Sequence, residues 1–362
     1  MLITNLNLTN YRSYSTLDLS LNEGISIFVG KNGEGKTNIA ESILYLTFLN
    51  SHRASGNTPL VKLGNQSAYI RAKVKYPERE ILVELEINSE KANRAKVNQN
   101  PVRSQKEIFG IVQTIYFSPE DLDLVRGDPS ERRRFIDQLL TLRSPRIAGV
   151  ITDYDRAVKQ RNSLLKTRAS SDALIPWDKQ VAELGGELIS LRMKALGELK
   201  PIFNNIYKDI SETKPAEILY KSSIENPSLE ASENTNKIME RLINNRGVEL
   251  ERGLTLTGPH RDDLTLMLGD HLVKGYASHG ESWSIALALK LSTYQLLKSD
   301  GLSPILILDD VFSELDEDRR EKLAQIAQSA EQTLITVAVE NDLPKSITGT
   351  RYLVKSGVVS KL

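Results

Sequence analysis

The sequence predicts an α/β fold: a mixed sheet built around a phosphate-binding loop, with an antiparallel β subdomain and a short helical arm domain inserted between the two halves of the sheet. Three observations predict it. Gly30-Lys31-Asn32-Gly33-Glu34-Gly35-Lys36-Thr37 fits G-x-x-x-x-G-K-[ST], between an apolar run that reads as a strand and an apolar-periodic run that reads as a helix. Residues 67–98 alternate apolar and polar, the pattern of an antiparallel meander. A second apolar strand, Ile305 to Leu308, ends in Asp309 and Asp310 about 270 residues after the loop, which leaves room for a helical domain between them.

In chain order, Leu2, Leu6 and Leu8 alternate with Asn5 and Asn7 and read as an opening strand; Asn10-Tyr11-Arg12-Ser13-Tyr14 reads as a polar break, and Leu17, Leu19 and Leu21 as a second strand. Gly24 to Val29 is the buried strand entering the glycine-rich loop, and Thr37 to Leu49 the helix leaving it, with Ile39, Ile43, Leu46 and Phe48 apolar. Turn signals at Pro77–Glu80 and Asn88–Glu90 divide the meander, and Ile111 to Phe117 reads as a further strand. Pro119 opens a helical turn, and Pro129 to Leu142 a helix carrying Glu131-Arg132-Arg133-Arg134. From 145 to 210 helical periodicity dominates, and the polar, proline-ended break Ser170–Pro176 predicts two antiparallel helices. Ile218 to Tyr220 is a short strand candidate and Asn234 to Arg252 is helical. Leu264, Leu266 and Leu268 alternate as a strand, residues 281–298 form a helix, Glu317 to Ala330 another, and Thr333 to Val339 and Tyr352 to Val354 are the last strands.

With 40% hydrophobic and 26% charged residues among 362, the chain has ample material for a core. Its net charge is zero, so no global basic field marks a nucleic-acid binder, and such a site must be a local patch or one assembled with a partner. The absence of cysteine excludes disulfides, a thiol nucleophile and cysteine zinc sites, and four histidines leave little for metals. No basic n-region precedes an apolar h-region and no apolar run is long enough to span a bilayer; the expectation is a cytoplasmic protein with no membrane partner.

The chemistry follows from the motifs. Gly30, Gly33 and Gly35 let the backbone turn tightly and aim N–H groups of the loop, with Lys31, Asn32, Glu34 and Asn38 around them, at phosphate oxygens. Lys36 reaches the β- and γ-phosphates, and the Thr37 hydroxyl ligates Mg²⁺. The second half of such a site is an acid at the carboxyl end of a parallel strand adjacent to the loop, and Asp309 supplies it as a Mg²⁺ ligand, directly or through water. Asp310 points the other way, to polarise the attacking water. Arg53, in Ser51-His52-Arg53, either reaches a phosphate or is a solvated loop residue. The catalytic expectation is therefore Lys36, Asp309 and Asp310, with ATP and Mg²⁺ as cofactors.

Widely split halves are the arrangement of ABC-type ATPase heads. There a serine-glycine loop at a helix start caps the γ-phosphate bound by a second subunit; Ser278-His279-Gly280-Glu281 occupies that place, with Ser278 and Gly280 as the anion donors. Phe312-Ser313-Glu314-Leu315-Asp316 resembles the D-loop, which puts Asp316 at a dimer partner. Asn10-Tyr11-Arg12-Ser13-Tyr14, Gly30 to Glu41, Ser51-His52-Arg53, Phe117-Ser118-Pro119-Glu120-Asp121-Leu122, Pro129 to Asp137, Gly258-Pro259-His260-Arg261-Asp262-Asp263-Leu264 and Leu308 to Asp316 carry an end-to-end resemblance to the RecF family, bacterial recombination-mediator ATPases of the SMC/ABC class.

The resemblance implies an ABC-type ATPase head that forms a homodimer on ATP binding, holds double-stranded DNA and single-strand/double-strand junctions, and hydrolyses ATP slowly to let go. It implies action in DNA repair, replication and the SOS response at single-strand gaps, with RecR and RecO type mediators, helping RecA displace single-strand-binding protein. Three departures stand out. Glu281 replaces the glutamine that usually ends the signature loop, the histidine expected after Leu334-Ile335-Thr336 is replaced by Val337-Ala338, and Glu120 stands nearest to a Q-loop glutamine. All three point to slow hydrolysis.

Arg132 to Arg134 either line a DNA groove or brace the two lobes, and Arg261 reads as structural rather than DNA-facing. The expected domains are an ATPase lobe with the phosphate loop over 1–118, a helical arm or lobe II insertion over 119–252, and the ATPase C-terminal part over 253–362. The alternative is an ABC-type ATPase subunit driving a different partner. A transporter subunit is disfavoured by the Gly-Pro-His-Arg-Asp-Asp loop, and a nuclease-linked defence ATPase by a chain ending at Leu362.

Overall fold

The alternation that opens the sequence forms a hairpin of two long strands. β1 (Leu2–Tyr11) and β2 (Tyr14–Ser20) pair antiparallel, Leu6 opposite Leu19 and Leu8 opposite Leu17. The polar break between them is tighter than expected: Tyr11 and Tyr14 are both fully buried, and Asn10 and Arg12 take left-handed backbone to make the turn. The computed structural model describes residues 1–54, 56–211 and 214–362. β3 (Gly24–Val29) leads through the glycine-rich loop into α1 (Lys36–Phe48), which is buried on nearly every side. The meander follows as β4 (Ser67–Lys75), β5 (Glu80–Asn88), β6 (Arg94–Val97) and the short β7 (Asn100–Pro101), giving an antiparallel sheet in the order β2-β1-β4-β5-β6-β7. Its buried alternate residues, among them Leu6, Leu8, Ile70, Val83 and Leu85, form one core with Ile39, Ile43 and Leu46 of α1. The strand expected at Ile111 to Phe117 is shorter, β8 (Thr114–Phe117).

Leu122 opens a second packing unit. α2 (Leu122–Arg126), α3 (Pro129–Arg143), α4 (Arg146–Lys166) and α5 (Ser171–Ile210) come first. The break between α4 and α5 falls at Thr167–Ser170, where Arg168 is left-handed, and Pro176 lies inside α5 rather than at its start. There it forgoes one intrahelical bond in the second turn. α5 is 40 residues long, about 60 Å at helical rise. β9 (Ala216–Lys221) then precedes α6 (Ala231–Asn244) and α7 (Arg246–Arg252), which divide the single helix expected there. β10 (Asp263–Leu268) and β11 (His271–Leu272) complete a three-stranded sheet with β9, followed by the short turn α8 (Val273–Tyr276). α9 (His279–Ser299) starts two residues earlier than the sequence suggests.

β12 (Ile305–Asp309), α10 (Glu317–Ser329), β13 (Gln332–Val337), β14 (Thr350–Lys355) and β15 (Val358–Lys361) close the chain. They join β3 and β8 in a sheet ordered β15-β14-β3-β13-β12-β8, parallel except for the terminal hairpin. One expectation changes here. β12 is not next to β3: β13 lies between them, pairing with both.

By packing, residues 1–121 and 289–362 form one unit and residues 122–288 the other. The stretch 253–288, grouped by sequence with the ATPase C-terminal part, packs with the helical unit because β10 pairs along its length with β9. No helix among the described residues is long and apolar enough to cross a membrane.

Candidate functional site

The glycines of the loop act in different ways. Gly33 and Gly35 have φ of 86° and 112°, a region open to glycine at little cost, and Gly35 caps the start of α1. Gly30 is needed for close approach: a Cβ there would stand 2.3 Å from the Val354 carbonyl oxygen. Two neighbouring turns brace the loop. Tyr14 donates its hydroxyl to Gly35 O at 3.1 Å, and Asn38 Nδ2 donates to Ser13 Oγ at 2.9 Å. From the other side the β14–β15 turn approaches Glu34, whose carboxylate accepts from Ser356 N and whose carbonyl accepts from Gly357 N.

Lys36 is almost fully buried. Its ammonium donates to Gly30 O at 2.7 Å and Lys31 O at 3.3 Å, lies 3.4 Å from Asn32 Oδ1, and is 3.9 Å from the Asp310 carboxylate. Thr37 Oγ1 donates to Asp309 Oδ1 at 3.1 Å. Asp309 takes two further hydroxyls, Thr336 Oγ1 on Oδ1 at 2.5 Å and Tyr116 OH on Oδ2 at 2.7 Å. Burial pushes the Asp309 carboxyl up from its ordinary pKa, while the Thr336 and Tyr116 bonds pull it back. Asp310 leaves the strand in left-handed backbone, φ 53°, and burial raises its pKa against the pull of Lys36. Lys36, Thr37, Asp309 and Asp310 thus converge at the carboxyl ends of the parallel strands, where open α/β sheets bind ligands.

The donor set suits Mg²⁺ with a nucleotide. Among the described residues no cluster of three or more His, Cys, Asp or Glu could hold a metal by itself. A hydroxyl and a carboxylate already in contact match a hard cation that takes one or two protein oxygens and completes its shell with phosphates and water. The start of α1, capped by a left-handed glycine, adds N–H donors and the positive end of a 13-residue helix.

Around this centre, Arg12 makes a paired bond to Glu41, Nε to Oε2 at 2.8 Å and Nη2 to Oε1 at 2.6 Å, and Ser51 Oγ adds a third at 2.5 Å. Burial pushes Glu41 up, but these bonds outweigh it and hold the carboxyl below its ordinary pKa. Arg53 Nη1 stands 3.5 Å from Asn38 Oδ1, at the first turn of α1. His52 packs its ring 4.8 Å from that of Tyr116, and burial lowers its pKa. Glu120 is exposed on the turn that follows β8. Tyr116 and Thr336 carry no site signal in the sequence, and His52 enters there only as part of Ser51-His52-Arg53. Tyrosine and threonine in apolar strands look like ordinary strand formers, and register alone turns their hydroxyls to Asp309.

Ser278 and Gly280 lie in the second unit, at the start of α9. Ser278 N donates to Glu281 Oε2 at 2.7 Å and Glu281 N to Ser278 Oγ at 3.2 Å, a reciprocal capping box. The glutamate that departs from the usual glutamine therefore has a local task, and its carboxyl is held below the ordinary range by the Ser278 backbone bond. Asp316, expected at a dimer partner, caps α10: its side chain accepts from Arg319 N at 3.0 Å.

The arginines after Pro129 brace the helical unit internally. Arg132 forks onto Asp263 at 2.7 and 3.0 Å, Arg133 donates to Asp262 O at 2.8 Å, and Arg134 pairs with Glu131. The Gly-Pro-His-Arg-Asp-Asp stretch is a fastening point of the same unit. His260 Nε2 is 3.1 Å from Thr255 O and Nδ1 is 2.6 Å from Tyr154 OH. Arg261 donates twice to Thr255 O, and Asp262 accepts from Tyr220 OH and Ser223 N.

A sequence model of the RecF/RecN/SMC N terminal domain matches residues 2–354. A protein of Streptomyces avermitilis described as DNA replication and repair protein RecF is 46% identical over 373 residues, covering 100% of both chains. The chain belongs to the RecF family. A Kineococcus radiotolerans protein of the same description is 45% identical, with 96% of each chain covered. A solved structure described as the recombination mediator protein RecF-ATP in the RecFOR pathway superposes on this RecF-family chain with a TM-score of 0.92 at 29% identity, over 99% of this chain and 97% of that one. The Smc head bound to the C-winged helix domain of ScpA shares the fold, with a TM-score of 0.60 at 15% identity over 100% of this chain and 97% of that one.

Proposed function

We propose that this chain is an ATP-dependent DNA-binding protein of recombinational repair and replication restart, an ATP-driven dimer clamp with slow hydrolysis. The observation that carries the reading is the convergence of Lys36, Thr37, Asp309 and Asp310 on one end of the parallel sheet. Loop N–H groups and Lys36 take the phosphates of ATP. Thr37 and Asp309 hold Mg²⁺, and Asp310 orients the attacking water. The relatives' descriptions as replication and repair proteins, and the ATP-bound RecF structure of the RecFOR pathway, support ATP as the nucleotide and DNA as the target.

In this reading Ser278 and Gly280 of one copy cap the γ-phosphate held by Lys36 of another, so ATP joins the dimer and its hydrolysis releases it. Val337-Ala338, where the wider class has a histidine, favours a slow step. Arg132 and Arg133, engaged inside their own unit, are poor candidates for DNA. A neutral protein then meets the DNA backbone through other residues assembled in the dimer, with strong salt dependence and no base reading. RecR and RecO type mediators are the expected protein partners, at single-strand gaps where RecA is loaded.

The test is double-stranded DNA binding with and without ATP, on wild type, Lys36→Ala and Ser278→Arg, with solution mass recorded alongside. ATP should produce a dimer that holds DNA, and each substitution should abolish both. A protein that binds ATP, stays monomeric and ignores DNA at low salt would refute the clamp and leave a nucleotide pocket.

A further inference from the structure

The two aspartates at the end of β12 are tied together by one hydroxyl from the neighbouring strand, through the carboxylate of the first and the backbone N–H of the second. β13 places Thr336 opposite Asp309 in parallel register, and Thr336 is 1% exposed. Its Oγ1 donates to Asp309 Oδ1 at 2.5 Å and accepts the N–H of Asp310 at 3.1 Å; the Thr336 carbonyl accepts that same N–H at 3.1 Å. A hydroxyl has one hydrogen and two lone pairs, and here it spends the hydrogen on one aspartate and a lone pair on the next. On the opposite side β8 supplies Tyr116, whose OH holds Asp309 Oδ2 at 2.7 Å and whose carbonyl is held by Lys290 at 2.9 Å. The N–H bond matters because Asp310 is left-handed, a conformation that non-glycine residues keep when their surroundings over-determine it. That conformation accompanies the 3.9 Å separation between the Asp310 carboxylate and Lys36.

We propose that Thr336, with Tyr116 as its counterpart, is the positioning residue of the Asp309–Asp310 pair: its hydroxyl orients Asp309 for the metal and fixes the turn that aims Asp310. The proposal rests on the nucleotide-site reading above. Neither residue touches substrate in this account; both act through the aspartates. Loss of the Thr336 hydroxyl therefore acts on the chemical step and on metal affinity, and leaves the phosphate loop's own hold on ATP intact.

The experiment compares wild type, Thr336→Val, Thr336→Ser and Tyr116→Phe. Valine keeps the branched shape that suits the strand and removes the hydroxyl. ATP binding is measured in EDTA, and single-turnover hydrolysis is measured against Mg²⁺ concentration. For Thr336→Val the expected result is ATP binding in EDTA within about twofold of wild type, hydrolysis slowed about tenfold or more, and a raised Mg²⁺ half-saturation, the size expected when reacting groups lose their alignment. Thr336→Ser should restore both. Tyr116→Phe, which frees only Asp309, should raise the Mg²⁺ half-saturation with a smaller effect on the rate. Wild-type rate and Mg²⁺ dependence in Thr336→Val, or a serine variant as impaired as valine, would overturn the proposal. Should the valine variant fail to fold, Tyr116→Phe decides: an unchanged Mg²⁺ half-saturation overturns it. A wild type that does not bind ATP overturns the nucleotide-site reading instead, and the positioning role with it.

Discussion

Thr37 Oγ1 stands 3.1 Å from Asp309 Oδ1, joining positions 272 residues apart. The contact does not come from neighbouring strands. β13 separates the strand before the loop from the strand that ends in Asp309, so the hydroxyl at the start of α1 reaches across it. Four consequences of the geometry within each unit can be measured.

The phosphate loop is packed against the last parallel strand. Gly30→Ala would put a Cβ 2.3 Å from Val354 O, where backbone rather than a flexible side chain must give way. The expected cost is about 1–3 kcal/mol of stability, with weaker ATP binding because the shifted loop is the one whose carbonyls hold Lys36. Denaturation and nucleotide titration of the variant check both; unchanged ATP affinity would show that the loop tolerates the shift.

Glu281 caps α9 through its bond from Ser278 N. Glu281→Gln keeps an acceptor and should leave the helix start as it is. Glu281→Ala should cost about 1 kcal/mol locally, read as roughly fivefold faster amide exchange over residues 279–283. Equal protection in the alanine variant would remove the cap from the account.

Arg192 is buried and forks onto Asp137 at 2.8 Å through both Nε and Nη2, with Nη1 on Pro259 O at 2.7 Å. Arg192→Met should destabilise the helical unit by about 3–5 kcal/mol, because it leaves Asp137 and a carbonyl without their donor. Adding Asp137→Leu should recover part of that loss. Urea denaturation of the single and double variants measures the coupling; strict additivity would contradict it.

His260 is held neutral. Burial lowers its pKa to about 4, against an ordinary value of 6.5, with Arg261 and Arg133 nearby adding to the shift and the Thr255 bond opposing it. The folded form then binds fewer protons than the unfolded one between those values, so stability falls as pH drops from 6.5 toward 4, by up to about 3 kcal/mol. Above pH 6.5 this contribution is complete. Thermal melts of wild type and His260→Asn from pH 7.5 to 4.5 should converge at acid pH. A constant gap between them would exclude the histidine as the cause.

Much of this molecule was legible from residue types. Gly30 to Thr37 demanded the strand, turn and helix that form there, and the apolar run before Asp309 demanded a buried parallel strand, because such runs cannot face water on either side. The alternation over 67–98 became the antiparallel sheet for the same reason. Where a signal was ambiguous, packing decided. Arg132 and Arg133 carry charge that suits DNA as well as an ion pair, and Asp263 and the Asp262 carbonyl claim them. Glu281, a departure from the usual glutamine of the signature loop, is also one half of a cap.

The sequence by itself determined the family, the fold class and the residues that meet at the carboxyl ends of the parallel strands, because those depend on local spacing: glycines at a turn, lysine and threonine at a helix start, acids at a strand end. Only the tertiary structure decided that β13 lies between the two halves of the site, that 253–288 packs with the helical unit, and that Thr336 and Tyr116 hold Asp309. Strand order and register set which side chains meet, and they arise from contacts between residues that lie far apart in the chain.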